Sequence, residues 1–69
     1  MEDRFPLKGN DVYSVFIGGV EVNDYFLTYQ EAMNLAFDYY DEDDWAKEDI
    51  EVYDCTNGYE NATLVELDF

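Results

Sequence analysis

The stretch from Val12 to Asp24, VYSVFI-GG-VEVND, constrains the fold more than any other part of the chain. Two short runs of β-branched and aromatic residues flank Gly18-Gly19, and paired glycines supply the positive φ angles that a two-residue hairpin turn demands. In that register Ile17 faces Val20 and Val15 faces Val22, so these four and Tyr13 share one apolar face. Ser14, Phe16, Glu21 and Asn23 fall on the other. A hairpin with one apolar face needs a second layer to cover it.

The next segment supplies that layer. Thr28, followed three residues later by Glu31, has the form of a capping box and predicts a helix from Tyr29. Tyr29, Ala32, Met33, Ala36 and Tyr40 recur at helical spacing, with Phe37 on one shoulder. Leu35 and Tyr39 widen the apolar surface beyond what one face can bury, which predicts a second contact surface there. After an acidic stretch, IEVYDC (Ile50 to Cys55) and YENATLVELDF read as a second hairpin turned by Asn57-Gly58. The expectation is a single α+β domain over residues 1–69, ordered β-β-α-β-β, with one antiparallel sheet and one helix packed on one face. Residues 1–11, with Pro6 and Gly9, read as an arm. Strand order stays open.

A core drawn from 69 residues supplies only about 3–5 kcal/mol of net stability, so a homodimer is the expected reinforcement. Against that small reserve stand 18 Asp and Glu and only three cations, Arg4, Lys8 and Lys47, a formal net charge of -15. Such charge on an apolar-poor chain means disorder, but 48% of these residues are apolar and 19% aromatic. That content supports a folded domain that tolerates strong self-repulsion. The lone cysteine, Cys55, allows no intramolecular disulfide and reads as a reduced thiol in a strand. MEDRFPLKGND lacks the apolar run of a signal peptide, and no segment approaches the roughly 18 apolar residues of a membrane span. The expected location is the cytoplasm. Nucleic acid and anionic lipid should both be repelled, which leaves basic proteins as the favoured partners.

Several chemistries fail on residue type alone. Without histidine the commonest general base and zinc ligand are missing, and one cysteine cannot build a thiolate zinc site. The nucleophile elbow, the P-loop and the dinucleotide glycine pattern are absent. An EF-hand loop opening at Asp41 requires an oxygen ligand, a glycine and a glutamate where the chain has Trp45, Ala46 and Val52. Asn61-Ala62-Thr63 matches a glycosylation sequon, but no secretory signal accompanies it. The expectation is a protein that is not an enzyme and uses neither metal nor cofactor.

What remains is DYYDEDDWAKED, residues 38–49, with seven carboxylates in twelve positions. Solubility asks for a net charge of only about 2 to 8 on a small domain, and this chain exceeds that about twofold. A globule of this length has a radius of gyration of about 11 Å and a diameter of roughly 28 Å. Fifteen charges correspond to roughly 25 Å of duplex DNA, at one charge per about 1.7 Å. Carboxylates spaced along a helix and the following loop can offer acceptor oxygens where a DNA-binding protein expects phosphates. The candidate partner-binding residues are Glu31, Asp38, Asp41, Glu42, Asp43, Asp44, Trp45, Glu48 and Asp49. Trp45, Tyr39 and Tyr40 have two open readings, as anchors of the loop to the sheet or as apolar contacts within an interface.

In size, acidity and simple α+β plan the chain resembles the small DNA-mimic proteins that bacteriophages make to inhibit host DNA-binding proteins. Targets of that group include the nucleoid protein HU, restriction enzymes, uracil-DNA glycosylase, RNA polymerase and CRISPR effectors. The likeness covers the general character of the whole chain and rests on no alignable motif, so no functional residue is carried over. It implies a noncatalytic inhibitor in the host bacterial cytoplasm that occupies the basic DNA-binding surface of a protein. An HU-like nucleoid protein fits, because its broad basic cradle needs no base-specific contacts. The alternative expectation is an acidic adaptor that binds a protein through a sheet edge or exposed aromatics, with charge serving solubility and steering.

Overall fold

The computed structural model describes residues 12–69; the expected arm over residues 1–11 lies outside the described residues. Strand β1 (Tyr13–Ile17) turns at Gly18-Gly19 into β2 (Val20–Glu21). Helix α1 (Tyr29–Glu42) follows, then β3 (Ile50–Asp54) and β4 (Thr63–Val65). The four strands form one antiparallel sheet in the order β2-β1-β3-β4, with α1 on one face. This is the expected β-β-α-β-β domain, with the open question of strand order answered.

The first hairpin has the register that the glycine pair predicts, Ile17 opposite Val20 and Phe16 opposite Glu21. Gly18 and Gly19 sit at φ 58° and 87°, a left-handed conformation that costs glycine little. Past Glu21 the chain keeps one further main-chain bond to β1, Val22 N donating to Val15 O at 3.0 Å, and then bows away. It returns at Leu27, which exchanges two main-chain hydrogen bonds with Tyr13 at 2.8 and 2.9 Å. That return delivers Thr28 to the start of α1.

Thr28 caps the helix as predicted: its hydroxyl accepts from Glu31 N at 3.1 Å while Glu31 Oε1 accepts from Thr28 N at 3.0 Å. Two orphan donors of the first turn are thereby satisfied. Ala32, Met33 and Ala36 are buried against Val15, Ile17, Leu27, Ile50 and Val52. Val15 and Val52 are fully covered, and burial of such side chains contributes about 1.5–3 kcal/mol each.

Two expectations need correction. The buried arc of α1 is rotated toward Leu35 and Tyr39, which pack on the core, whereas Tyr29, Phe37 and Tyr40 stay exposed. Small side chains explain the rotation: Ala32 and Ala36 let the helix approach the sheet closely, and the large rings cannot fit beneath it. The surplus apolar surface therefore lies on Phe37 and Tyr40, not on Leu35 and Tyr39. The second hairpin is not closed by a tight Asn57-Gly58 turn. Asp54 pairs with Thr63, so residues 55–62 form a longer connection containing the short 3-10 turn Tyr59–Asn61. Asp54 shapes its start, accepting from Thr56 N at 2.9 Å and Thr56 Oγ1 at 2.6 Å, and this competes with a two-residue turn.

Candidate functional site

Helical periodicity sorts the acids of α1. Glu31, Asp38, Asp41 and Glu42 are exposed and fall within about 100° of helical arc. Asp43 ends the helix, Asp44 and Trp45 follow it, and Glu48 and Asp49 lie in the 3-10 turn Lys47–Asp49 that leads into β3. All nine predicted partner-binding residues are exposed. Eight of them gather at the C-terminal end of α1 and the turn after it. Glu31 stands apart, about 10 Å along the helix axis from Asp38, and its carboxylate is already engaged in the capping box.

The gathering place is electrostatically unfavourable. The C-terminal end of a helix is the negative pole of its macrodipole, and a carboxylate there costs about 0.3–1 kcal/mol. The last turn of α1 has no basic residue. Asp44 adds backbone strain, since its φ of 58° makes it the non-glycine with positive φ among the described residues. Glycine is the usual residue at such a helix stop. Tyr39 O accepts from both Asp43 N and Trp45 N at 3.2 Å, so the chain is turned sharply enough to need the left-handed residue between them. Acids crowded where the dipole disfavours them, one of them, Asp44, at a left-handed backbone position, mark a local conflict of the sort that function retains.

Trp45 combines its two readings. Its ring lies on the first hairpin turn, so close that a Cβ at Gly18 would sit 3.2 Å from Cζ3 and 3.3 Å from Cη2. It nevertheless keeps 39% of its surface open to solvent. The acidic segment is thus braced on the sheet with part of an indole left free. Tyr39 is packed on the core. Tyr40 belongs to a surface group with Phe37 and Phe69, its ring centroid 5.3 Å from that of Phe69. Lys47, the one cation among the described residues, directs its ammonium into that group. It sits 5.6 Å from the Tyr40 ring centre and 5.4 Å from that of Phe69, and donates to the main-chain oxygen of Phe69.

A second polar group was not legible in the sequence. Ser14, fully buried, donates to Glu21 Oε2, and Tyr59 donates to the same oxygen at 2.7 Å from across the fold. Asn23 Oδ1 accepts from Val15 N at 2.7 Å, replacing the ladder bond lost where β2 ends. Alternation in the hairpin could have placed Ser14 beside Glu21, but Tyr59 arrives from the long 55–62 connection. Cys55 is buried nearby. Burial, followed by the Glu21 and Asp54 carboxylates, pushes its thiol pKa up, away from nucleophilic use. Among the described residues no cluster of three or more carboxylate or thiol groups is arranged to hold a metal ion, and no helix is long and apolar enough to cross a membrane.

Line charge gives the scale of the surface. Residues 12–69 carry fifteen acids and one lysine, leaving -14 of the chain's -15. Along the 33 Å principal axis the -14 gives one net charge per about 2.4 Å, against about 1.7 Å for duplex DNA. No family model, curated protein or solved structure matches the chain.

Proposed function

We propose that the protein is a noncatalytic DNA mimic, which inhibits a host DNA-binding protein by occupying its basic nucleic-acid-binding surface. The carrying observation is the crowding of Asp38, Asp41, Glu42, Asp43 and Asp44 at the negative pole of α1, exposed and disfavoured by the helix itself. A chain needing charge only for solubility has no reason to concentrate it where it destabilises. On this reading the carboxylates replace phosphates, accepting hydrogen bonds from Lys and Arg of the target, and the open part of Trp45 adds apolar contact within the charged interface. An HU-like nucleoid protein suits the surface, since a basic cradle that reads backbone rather than bases can accept any rod of matching charge.

The test is retention of proteins from a bacterial lysate on the immobilised chain at about 0.05 M and about 0.5 M NaCl, with duplex DNA as competitor. Basic DNA-binding proteins should be retained at low salt, released at high salt and displaced by DNA. Retention of the same proteins at both salt concentrations and in excess DNA would overturn the reading.

A further inference from the structure

Among the described residues the sheet order leaves β4 as an edge, and the hydrogen-bond pattern fixes which of its groups face outward. Val22 N bonds Val15 O at 3.0 Å, Gly18 N bonds Asp49 O at 2.8 Å and Cys55 N bonds Val12 O at 2.9 Å. Val15 therefore turns its main-chain groups toward β2, while Ser14 and Phe16 turn theirs toward β3. Tyr53, opposite Ser14, faces back to β1. Val52 and Asp54 face β4, where they meet Val65 and Thr63. Leu64 lies between these two, so its N–H and C=O point away from the sheet.

The side chains along this edge alternate as well. Val65, Leu67 and Phe69 pack on the core; Leu64, Glu66 and Asp68 are exposed, with Leu64 63% open. Leu64 stands beside Tyr53, whose ring meets Phe16 edge-on at 5.5 Å. One further step of the β3–β4 register would set Glu66 beside Glu51. Like charges directly opposite are destabilising, and the ladder stops at Val65.

We propose that the β4 edge is a docking site for an extended segment of a basic protein, added antiparallel as a fifth strand. Charge complementarity selects the occupant. Reading the incoming segment in its own direction, the residues opposite Asp68, Glu66 and Leu64 are cation, cation and apolar, each separated by one residue that faces Leu67 or Val65. The recognised pattern is cation-x-cation-x-apolar with apolar residues at x. Main-chain bonds to Leu64 supply the docking and the alternate side chains supply the selectivity. A second copy of this chain is disfavoured here, since it brings another net charge of -15 to an edge that already carries Glu66 and Asp68.

The probe is a capped peptide, Lys-Val-Lys-Val-Val, titrated into the full chain with binding read by amide hydrogen exchange and by affinity. Protection should appear at Leu64. Leu64→Pro removes an N–H that bonds no main-chain group among the described residues, in an edge strand where proline is tolerated, and should lower affinity at least about 10-fold with the thermal melt retained. Glu66→Gln with Asp68→Asn should lower it about 2- to 30-fold, the range for two exposed ion pairs. If Leu64→Pro unfolds the chain, the same peptide N-methylated along its backbone gives the equivalent test and should not bind. Undiminished binding by the N-methylated peptide or by Leu64→Pro would overturn the proposal. So would binding lost on neutralising Asp41, Asp43 and Asp44 together while Leu64→Pro still binds. The site does not depend on the acidic end of α1, and either can fail without the other.

Discussion

Asp44 combines a left-handed backbone with a carboxylate just past the C-terminal end of α1. That backbone costs most non-glycine residues about 1–2 kcal/mol and aspartate, which visits the region more readily, somewhat less, and the carboxylate lies at the unfavourable pole of α1. Glycine there relieves both but adds about 0.5–1 kcal/mol of unfolded-chain entropy. Asp44→Gly should therefore raise stability by up to about 1 kcal/mol, read by urea unfolding, while weakening capture of basic proteins. Lower stability would mean that the carboxylate supports the turn. Asp54 behaves oppositely. Bonds from the Thr56 hydroxyl and then the Thr56 amide hold its carboxyl below the ordinary range. A depressed folded pKa means that its contribution is present above the unfolded value, about 3.9, and is lost as pH falls through the folded value. The stability gap between wild type and Asp54→Ala should be constant near neutrality and shrink only on acidification below about pH 4. A gap that instead grew on acidification would contradict this sign.

At the scale of elements, the Gly18 turn and the end of α1 are one assembly. Gly18→Ala places a methyl against the Trp45 ring at a φ of 58° that disfavours alanine. It should cost about 1–2 kcal/mol and move tryptophan emission toward the red as the ring is displaced; unchanged emission would show that the ring is not braced there. This pairing also marks the limit of what the sequence discloses. Glycine pairs, capping boxes and alternation are local signals, so the first hairpin, the start of α1 and the exposed acids were legible. The contact of Trp45 with Gly18, the hydrogen bond from Tyr59 to Glu21 and the rotation of α1 toward Leu35 depend on distant segments meeting. In the 55–62 connection Asn-Gly is a strong local turn signal, but the bonds of Asp54 to Thr56 and the pairing of Asp54 with Thr63 set a longer loop. For the acidic surface the residues were legible, but their placement at the helix's negative pole needed the observed end of α1 at Glu42.

For the whole molecule, a net charge of -15 on a body 33 Å long means that self-repulsion opposes folding. Raising NaCl from about 0.01 M to about 1 M shortens the Debye length from about 30 Å to about 3 Å. Tm should rise by several degrees, and a flat response would mean the charges are neutralised within the fold. The same field should attract a basic cradle. The most direct test is a competition in which the chain is titrated against an HU-like protein bound to labelled duplex DNA of about 20 base pairs, across about 0.05–0.2 M salt. The mimic reading predicts release of the DNA and loss of at least about 10-fold in affinity over that range; a chain that binds the DNA-loaded protein equally well, with an affinity indifferent to salt, would contradict it.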